Sequence, residues 1–452
     1  MLIVDLPRRI NDDVPGGKGG GRPVDSRPPR AAGMVNDFRG KMRMIGAGCA
    51  DRHDVPRTRD ETQGLRPELR QDVTPTGRIQ QFLAGRISHL PILLRPHIIE
   101  NHKRWPIIRM AQSVRQWEEN SMSTESPRRL FFPAAQEVGL ESFEIPNLAE
   151  GEVRVRTEYS LMSTGTENIV FNRIFDKGTH WDNWVKYPFH PGYCVVGTVE
   201  DSRSDEFAVG DRVALRSGHQ SLSVVPAAKC TRIPDGVDFQ EALWFALAKI
   251  AFHGALVADH YLGDTVLVIG AGPIGQMAVR WARAAGAKTI ISVDSAGERL
   301  KLAADGGATA TIASGIEAAK EEILKANGGE LTRLVIDTTG NAVVFSQALE
   351  LVKSFGKLVL LGDTGKPTDQ RLTLDVITRG LTIVGAHDMH ETEQWNARSI
   401  TSLFLSLVAD KRFSLNGLIT HTFRPEECTE AYTVANRERS KTMGIVFDWR
   451  AA

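Results

Sequence analysis

The chain has 452 residues and a formal net charge of zero, with 42% hydrophobic and 24% charged residues. Such a composition is typical of a soluble globular protein with two or three domains. No apolar run approaches the roughly 20 residues that a transmembrane helix needs. Charged residues near the start also interrupt any secretory signal.

The four cysteines are scattered and include no C-x-x-C pair. Disulfide frameworks and cysteine-rich zinc lobes both depend on paired cysteines. The sequence therefore predicts a reducing compartment, which we take to be the cytoplasm, and no structural zinc lobe. The cysteines are Cys49, Cys194, Cys230 and Cys428.

Residues 1–121 differ in composition from the rest of the chain. They hold 21 basic against 14 acidic side chains, a net charge of +7, whereas the remainder holds 34 against 41, a net charge of −7. This Arg-, Pro- and Gly-rich segment shows no sustained helix or strand periodicity, which predicts a disordered extension. Three interpretations stay open: a basic arm for nucleic acid or acidic partners, a targeting segment, or a start site placed too far upstream of Met122. We favour the third.

Residues 122–247 form the first predicted domain, in which short strands alternate with Gly- and Pro-rich turns. The predicted strands lie at residues 129–132, 138–143, 152–158, 193–200, 209–214 and 221–225. Many short strands divided by such turns favour a partly open β-barrel. Apolar residues then recur at helical spacing over residues 239–258.

Residues 248–390 form the second predicted domain and begin with a nucleotide-binding pattern. A short β-branched run at residues 266–269 predicts a buried parallel strand. Gly270, Gly272 and Gly275 follow it at G-x-G-x-x-G spacing. The first glycine permits a sharp turn, the second leaves room for a pyrophosphate, and the third lets the next helix pack close to the strand.

The residues after this turn indicate which dinucleotide it binds. Pro273 and Ile274 open the helix, whose free N–H groups and positive dipole end attract a phosphate. A second strand at residues 289–293 is followed by Asp294. A carboxylate there binds the adenosine ribose and repels a 2′-phosphate, which predicts NAD rather than NADP. Arg299 keeps NADP open as an alternative, because it could reach that phosphate if the loop folds back.

The strand and helix pattern then continues. Strands are predicted at residues 333–337, 357–361 and 381–385, and helices at residues 277–285, 300–304, 316–327 and 345–352. The alternation predicts a doubly wound parallel sheet. Thr338, Thr339 and Gly340 follow one strand at the end where cofactor contacts are expected. Residues 391–452 are expected to return to the first domain.

Six motifs in this order are similar to those of the medium-chain dehydrogenase/reductase superfamily. They occupy residues 188–199 (PFHPGYCVVGTV), 209–213 (VGDRV), 231–235 (TRIPD), 270–275 (GAGPIG), 337–340 (DTTG) and 443–446 (MGIV). The resemblance covers about residues 128–449 and implies a GroES-like catalytic domain, a Rossmann domain and hydride transfer with NAD(H).

Two further motifs are most similar to one branch of that superfamily. They are residues 163–167 (STGTE) and 187–193 (YPFHPGY). This branch holds bacteriochlorophyllide dehydrogenases, which oxidise a hydroxyethyl group on a pigment ring.

Zinc-dependent members of the superfamily hold a catalytic zinc with a Cys, a His and a third Cys or Glu. Matched motif to motif, those places fall on Thr164, Tyr193 and a residue near Phe245. None of these is a good ligand, because zinc prefers thiolate, imidazole or carboxylate. The resemblance therefore implies an enzyme without catalytic zinc. An alternative ligand set comprises His190, Cys194 and Glu167.

Hydroxyl groups occupy the place where a metal would polarise the substrate. The resemblance assigns the family's proton-relay hydroxyl to Thr166, and Thr164 and Tyr193 add two more. One such donor is worth roughly 3–4 kcal/mol at an oxyanion. To act as an acid, Tyr193 would need its pKa lowered from about 10. Lys186 and Lys249 are the candidates for lowering it.

Two other groups of side chains have both a structural and a functional interpretation. One group consists of four aromatic residues: Phe171, Phe175, Trp181 and Trp184. These residues belong either to the core or to the wall of a site for a bulky, apolar or ring-shaped substrate. His387 and His390 are three residues apart, but the sequence offers no third ligand beside them. We therefore predict no metal site.

The predicted function is an NAD(H)-dependent oxidoreductase that interconverts an alcohol and a carbonyl. Two alternatives stay open: reduction of an activated C=C bond, as in quinone-reductase relatives, and dinucleotide binding without catalysis. We expect a small-molecule substrate and no nucleic-acid or membrane partner. We also expect a homo-oligomer, formed by pairing the edge strand at residues 381–385 across a twofold axis.

Overall fold

The computed structural model describes residues 126–450. The predicted disordered extension, residues 1–121, and Cys49 lie outside these described residues. Within residues 126–450, no helix combines the length and the apolar character that crossing a bilayer requires.

Short strands account for much of the described chain. They are β1 (Arg128–Phe131), β2 (Gly139–Ser142), β3 (Glu152–Leu161), β4 (Val195–Ser202), β5 (Arg212–Leu215), β6 (Leu222–Pro226), β7 (Cys230–Arg232), β8 (Thr265–Ile269), β9 (Thr289–Asp294), β10 (Ala310–Ala313), β11 (Thr332–Asp337), β12 (Val352–Leu360), β13 (Thr382–Gly385), β14 (Ile419–Phe423) and β15 (Gly444–Asp448).

Helices connect and flank these strands. They are α1 (Thr164–Phe171), α2 (His180–Trp184), α3 (Phe239–Ala242), α4 (Phe245–Ala258), α5 (Pro273–Ala284), α6 (Gly297–Asp305), α7 (Ile316–Ala326), α8 (Ala342–Leu351), α9 (Asp375–Thr378), α10 (Ala397–Ala409) and α11 (Cys428–Arg437). Single 3-10 turns lie at Ala227–Lys229, Pro367–Asp369 and Pro425–Glu427.

One sheet, here called the mixed sheet, joins strands from both ends of the described chain. Its order is β14-β15-β3-β4-β5-β7, with β6 also paired to β3, and β1 and β2 form a separate hairpin. The long strand β3 alternates buried and less buried residues in its first half, as expected for a strand with one face on a core. Strand β15 runs antiparallel to β3, with Val446 opposite Leu161. The C-terminal segment thus returns to the sheet that contains β3.

The second sheet, here called the parallel sheet, has the order β10-β9-β8-β11-β12-β13. All its neighbouring strands are parallel, and this order is that of the doubly wound dinucleotide-binding fold. In β8, Val266 and Val268 belong to one core, whereas Leu267 and Ile269 belong to another on the opposite face. A strand buried on both faces needs a continuous apolar run, which is why the sequence shows one. The predicted fold class is confirmed.

The structure differs from the sequence prediction at several element boundaries. The helical spacing over residues 239–258 becomes two helices, because a capping box at Asp238 and Glu241 starts α3 and Trp244 separates it from α4. The sequence prediction also extended a helix to Val352, which instead begins β12. Helix α1 was not predicted, since its Ser-Thr-Gly-Thr start has low helix propensity.

Candidate active site at the carboxyl ends of the parallel strands

A cavity of about 1140 Å³ is lined by residues from both sheets and their connections. It lies beside the carboxyl ends of the central parallel strands, where doubly wound folds bind ligands. All of the residues predicted to act in catalysis or cofactor binding line it: Thr164, Thr166, Tyr193, Gly270, Gly272, Pro273, Ile274, Gly275, Asp294, Thr338, Thr339 and Gly340. The structure thus brings them together, while their roles stay predictions.

The three glycines of the turn after β8 have different surroundings. Gly270 has φ +89°, and a Cβ there would lie 2.7 Å from Thr338 Oγ1. A Cβ on Gly275 would collide with the carbonyl oxygen of Gly270. A Cβ on Gly272 would meet only Arg299 Nη1, at 3.7 Å. Packing within the chain therefore requires glycine at the first and third positions, whereas the second is open to the cavity.

The start of α5 leaves its backbone donors free for a ligand. Gly272 is the N-cap residue and offers no side-chain cap, and Pro273 occupies the first turn. The first N–H groups of a helix have no partner within the helix, and they lie at its positive dipole end. Thr338 Oγ1 donates to the carbonyl oxygens of Ile269 and Gly270, at 2.9 and 3.1 Å, and so holds the turn in place.

Asp294 lies at the end of β9 with both carboxylate oxygens directed to backbone. Its Oδ2 accepts from the Ala271 N–H at 2.7 Å, and its Oδ1 accepts from the Ala296 N–H at 2.8 Å. Each oxygen keeps lone-pair capacity for a further donor. Arg299 Nη1 lies 3.9 Å from Asp294, and Arg299 Nη2 donates to the carbonyl oxygen of Arg439. Arg299 therefore does reach the cavity, although its outer end is held by other groups.

The predicted hydroxyls form a cluster around the first turn of α1. Ser163 is the N-cap residue, Thr164 and Thr166 lie in the first turn, and Tyr193 donates its hydroxyl hydrogen to Ser163 Oγ. Burial raises the pKa of Tyr193 above its ordinary value, although Ser163 and Thr166 act in the opposite direction. A lowered pKa, the condition under which Tyr193 would act as an acid, is therefore not met. Tyr193 is placed to donate a hydrogen bond and not to ionise.

Neither lysine proposed to lower the Tyr193 pKa serves that purpose. Lys186 donates to the backbone oxygen of Asp182. Lys249 is buried in α4 and pairs with Asp388 Oδ1 at 2.9 Å and with Glu391 Oε1 at 2.8 Å. Both ammonium groups are thus engaged with other partners.

Arg216 is the cation beside Tyr193, and sequence reasoning missed it. Its guanidinium carbon lies 4.9 Å from the centre of the Tyr193 ring. Its Nη1 lies 2.9 Å from Asp388 Oδ2, and its Nε is buried without a hydrogen-bond partner. Arg216 follows the last residue of β5, and no spacing in the sequence links that position to Tyr193 or to Asp388.

The places of the family's zinc ligands do not form a zinc site. Phe245, at the third place, is buried in the core. The alternative ligands are engaged elsewhere or buried: His190 Nε2 lies 3.1 Å from Glu141, Glu167 pairs with His219, and Cys194 is fully buried. Burial also raises the pKa of the Cys194 thiol, which disfavours the thiolate that zinc needs. The side chains at these places therefore do not fit zinc.

Glu167 is a buried carboxylate with several donors. It accepts from the Ser163 N–H at 2.7 Å, from the Tyr432 hydroxyl, and from His219 Nε2 at 3.2 Å. The other ring nitrogen of His219 lies 2.7 Å from Ser160 Oγ. This network connects the N-terminus of α1 to the mixed sheet and to α11. It thereby fixes the turn that carries Thr164 and Thr166.

The aromatic residues between α1 and β4 divide between the two predicted roles. Phe171 packs in the core, with its ring centre 5.2 Å from that of Tyr432. Phe175 packs against the same core. Trp181 and Trp184 line the cavity together with Phe189. Trp181 is 3% exposed and also belongs to that core, whereas Trp184 is 51% exposed. One wall of the cavity is thus aromatic and partly open to solvent.

His387 has neighbours that the sequence did not reveal. Its ring centre is 6.1 Å from that of His390. The structure also places His180 and Asp363 beside it, so that the ligand atoms of His180, Asp363 and His387 lie within 4.8 Å of one another. Asp363 and His387 are 24 positions apart in the sequence, and His180 and His387 are 207 positions apart. Only the fold reveals the group.

Comparisons with known proteins agree with this architecture. Residues 273–402 match a family model described as zinc-binding dehydrogenase. An L-threonine 3-dehydrogenase from Bacillus velezensis is 27% identical over 334 residues, which cover 66% of this chain and 92% of the relative.

Solved structures show the same fold. An alcohol dehydrogenase from Escherichia coli, in complex with NADH, has a TM-score of 0.60 and 21% identity over 72% of this chain and 100% of its own. A structure from Sinorhizobium meliloti, described as a zinc-binding dehydrogenase bound to NADP, has a TM-score of 0.61 and 18% identity over 72% of this chain and 99% of its own.

The Glu167 network gives a test of stability. We expect Tyr432→Phe to lower the free energy of unfolding by about 1.5–3 kcal/mol, because a buried charged acceptor loses a donor. Tyr187→Phe is the matched control, since that hydroxyl donates to the neutral carbonyl of Val170 at 2.6 Å, and we expect a loss of about 1 kcal/mol. Urea unfolding measures both. A loss for Tyr432→Phe no larger than for the control would contradict the assignment of Glu167 as a buried anion.

Proposed function

The chain belongs to the medium-chain dehydrogenase/reductase superfamily, and we propose that it is an NAD(H)-dependent oxidoreductase that interconverts an alcohol and a carbonyl. One observation carries the proposal: the open glycine turn before α5 and the hydroxyl cluster on α1 line a single cavity. The similarity to a threonine dehydrogenase and to an alcohol dehydrogenase supports the reaction class.

The residues of the turn fit a dinucleotide. A pyrophosphate would lie against Gly272 and the first N–H groups of α5, where the chain leaves an open face. The adenosine ribose would lie near Asp294, and Thr339 and Gly340 would flank the rest of the cofactor. When bound, the nicotinamide supplies or accepts the hydride.

The preference for NAD rests on Asp294. Its carboxylate is fixed by two backbone N–H groups and faces the cavity, so it can accept ribose hydroxyls and repel a 2′-phosphate. Arg299 is the competing group. Its Nη2 already donates to Arg439, and Asp294 is its nearest carboxylate. We therefore propose NAD over NADP.

The hydroxyl cluster would handle the substrate oxygen. Tyr193 stays protonated, and if its hydroxyl hydrogen turns from Ser163 Oγ to the substrate it can donate a hydrogen bond to an oxygen on which negative charge develops. Ser163 and Thr166 lie close enough to Tyr193 to exchange a hydrogen bond with it, so the three hydroxyls can pass the proton that the alcohol releases to a solvent water. Arg216 adds positive charge over the Tyr193 ring.

Zinc at the family's position has no part in the proposed reaction. Thr164, Tyr193 and Phe245 offer no thiolate, imidazole or carboxylate. Two hydroxyls and a nearby guanidinium supply hydrogen bonds and charge instead. The lack of zinc ligands at these places also supports the alternative function, reduction of an activated C=C bond. In that reaction a metal is not needed to polarise the substrate. Binding without catalysis is the third possibility.

The substrate we propose is a small molecule with a bulky, apolar group. Trp181, Trp184 and Phe189 supply an aromatic wall, and aromatic linings suit flat apolar groups. The resemblance of residues 163–167 and 187–193 to a branch that acts on pigment rings is consistent with this wall. A panel of alcohols, ketones, enones and quinones, assayed with NADH or NAD, separates the candidate reactions.

We also propose a homo-oligomer that pairs β13 across a twofold axis. Strand β13 is the last strand in the order of the parallel sheet. Nearby large apolar side chains are exposed, including Phe355 at 87% and Ile377 at 83%. Patches of this kind mark interaction surfaces. The domain divisions at residues 122–247, 248–390 and 391–452, and the cytoplasmic location, are likewise proposals.

Alanine substitutions at Gly272 and Gly275 distinguish an effect on cofactor binding from an effect on packing. We expect Gly272→Ala to leave the melting temperature nearly unchanged, because its Cβ meets nothing closer than 3.7 Å, and to weaken NADH binding at least tenfold, because the Cβ occupies the pyrophosphate face. Gly275→Ala is the contrast, since its Cβ collides with Gly270 and should destabilise the fold. NADH fluorescence titration and thermal unfolding measure the two effects. Unchanged NADH affinity in Gly272→Ala would contradict the proposed phosphate position.

A substitution at Asp294 tests the proposed preference for NAD over NADP. We expect Asp294→Ser to weaken NADH binding and to strengthen NADPH binding, so that the ratio of the two dissociation constants shifts by at least tenfold. The physical reason is the loss of a ribose acceptor and of repulsion toward the 2′-phosphate, next to Arg299. Binding of both dinucleotides to wild-type and variant protein is the measurement. A wild-type preference for NADPH would overturn the proposal of NAD.

Substitutions at Tyr193 and Thr166 test the catalytic roles proposed for the hydroxyl cluster. We expect Tyr193→Phe to lower kcat by about 10²–10³-fold, the effect of removing one donor at an oxyanion, and Thr166→Val to lower it by a smaller factor. NADH affinity should be unchanged in both. Tyr187→Phe is the control, because Tyr187 is not among the residues that line the cavity and its hydroxyl bonds the backbone carbonyl of Val170. Wild-type turnover in both cluster variants would rule out the assigned roles.

A further inference from the structure

Three potential metal ligands meet at one edge of the cavity. His180 Nε2 lies 3.0 Å from Asp363 Oδ2, and His387 Nε2 lies 3.9 Å from the same oxygen. The ligand atoms of the three residues all lie within 4.8 Å of one another. Two imidazoles and one carboxylate are a donor set that divalent first-row transition metals bind in proteins.

The fold explains why these residues meet. Strands β12 and β13 are parallel neighbours, with Leu360 opposite Gly385. Asp363 follows β12 by three residues and His387 follows β13 by two, so both emerge at the same edge of the parallel sheet. His180 comes from elsewhere in the chain, at the first position of α2, and reaches Asp363 across the cavity edge.

The charge of the group favours a cation. Among the described residues, the partners of the Asp363 carboxylate within 4 Å are His180 and His387, and no Lys or Arg side chain pairs with it. The group is also accessible, because the side chains of His180, Asp363 and His387 are 56%, 37% and 44% exposed. An ion can therefore enter from solvent and keep open coordination positions.

We propose that His180, Asp363 and His387 form a site for a divalent first-row transition-metal ion, of which Zn²⁺ is the probe. Ligand atoms bound at about 2.0–2.1 Å to a tetrahedral ion stand roughly 3.3 Å apart. The separations of 3.0 and 3.9 Å from Asp363 Oδ2 bracket that value, and the separation of the two imidazole nitrogens is at most 4.8 Å. The side chains would therefore rotate to close around an ion. Its ligands are different residues from Thr164, Tyr193 and Phe245, the places to which the family's zinc ligands correspond.

Binding would change two existing hydrogen bonds. An ion would replace the one between His180 Nε2 and Asp363 Oδ2, at 3.0 Å, and the second is at His387. The Met389 N–H donates to His387 Nδ1 at 3.2 Å, which places the proton of the neutral ring on Nε2. Coordination through Nε2 moves that proton to Nδ1, so the Met389 bond is exchanged for one to water. The bond is long and exposed, so its loss costs little.

A bound ion would have a structural consequence. His180 belongs to the segment between β3 and β4 of the mixed sheet, whereas Asp363 and His387 extend the parallel sheet. Coordination would therefore tie the two sheets together across the cavity. His387 also precedes Asp388, which holds Arg216 over the Tyr193 ring. The ion would thus fix the loop that positions the cation of the proposed reaction centre.

The experiment is a Zn²⁺ titration of the full, tag-free, metal-stripped chain by calorimetry, repeated with His180→Asn and His387→Asn. The chain has 12 histidines, so the readout is the difference between wild type and variant. We expect wild type to bind one more equivalent than either variant, or to bind that equivalent at least 30-fold more tightly. We also expect Zn²⁺ to raise the melting temperature of wild type but not that of His180→Asn or His387→Asn.

Two control variants keep the test specific. His390→Asn removes a neighbouring imidazole that is outside the group, and His421→Asn removes an exposed imidazole on β14. Both should bind Zn²⁺ as wild type does. Equal Zn²⁺ binding by wild type and by both site variants would overturn the proposal. NADH titration of the same metal-free samples tests the proposed function separately, because the residues proposed to hold the dinucleotide are different from the three ligands.

Discussion

The close approach of α5 to β8 is the constraint on which the rest of the site depends. Glycine at position 275 lets the helix backbone contact the Gly270 carbonyl, where any side chain would collide. The helix therefore starts directly at the carboxyl end of the central strand, and its free N–H groups face the cavity. Thr338, on the neighbouring strand's connection, bonds the same turn from the other side. The phosphate-binding geometry is thus a consequence of packing in the chain itself.

A second constraint fixes the opposite side of the cavity. The carboxylate of Glu167 is buried and held by donors from α1, the mixed sheet and α11. A buried anion is tolerated only where several hydrogen bonds satisfy it. The network therefore locks the first turn of α1, and with it Ser163, which accepts from Tyr193. One wall is fixed by backbone sterics and the other by a buried charge.

The sequence predicted the parallel sheet well because its signals are local. Strands such as β8 are buried on both faces, and the glycine turn that follows has fixed spacing. The predicted cofactor residues all line the cavity for the same reason. Arg216, His219 and the group of His180, Asp363 and His387 could not be predicted. Each depends on contacts between residues far apart in the chain, and a single Arg or His carries no periodic signal.

The raised pKa of Tyr193 changes the chemistry that the site can perform. A tyrosine that ionised easily would act as a general acid and base in its own right. Here burial holds the proton on the hydroxyl, and the nearest cation, Arg216, is shared with Asp388. The positive field at the ring is therefore reduced by a carboxylate that also binds Lys249. Stabilisation of a substrate oxygen then depends on the direction of the hydroxyl dipoles, and Ser163 at the N-cap of α1 sets that direction.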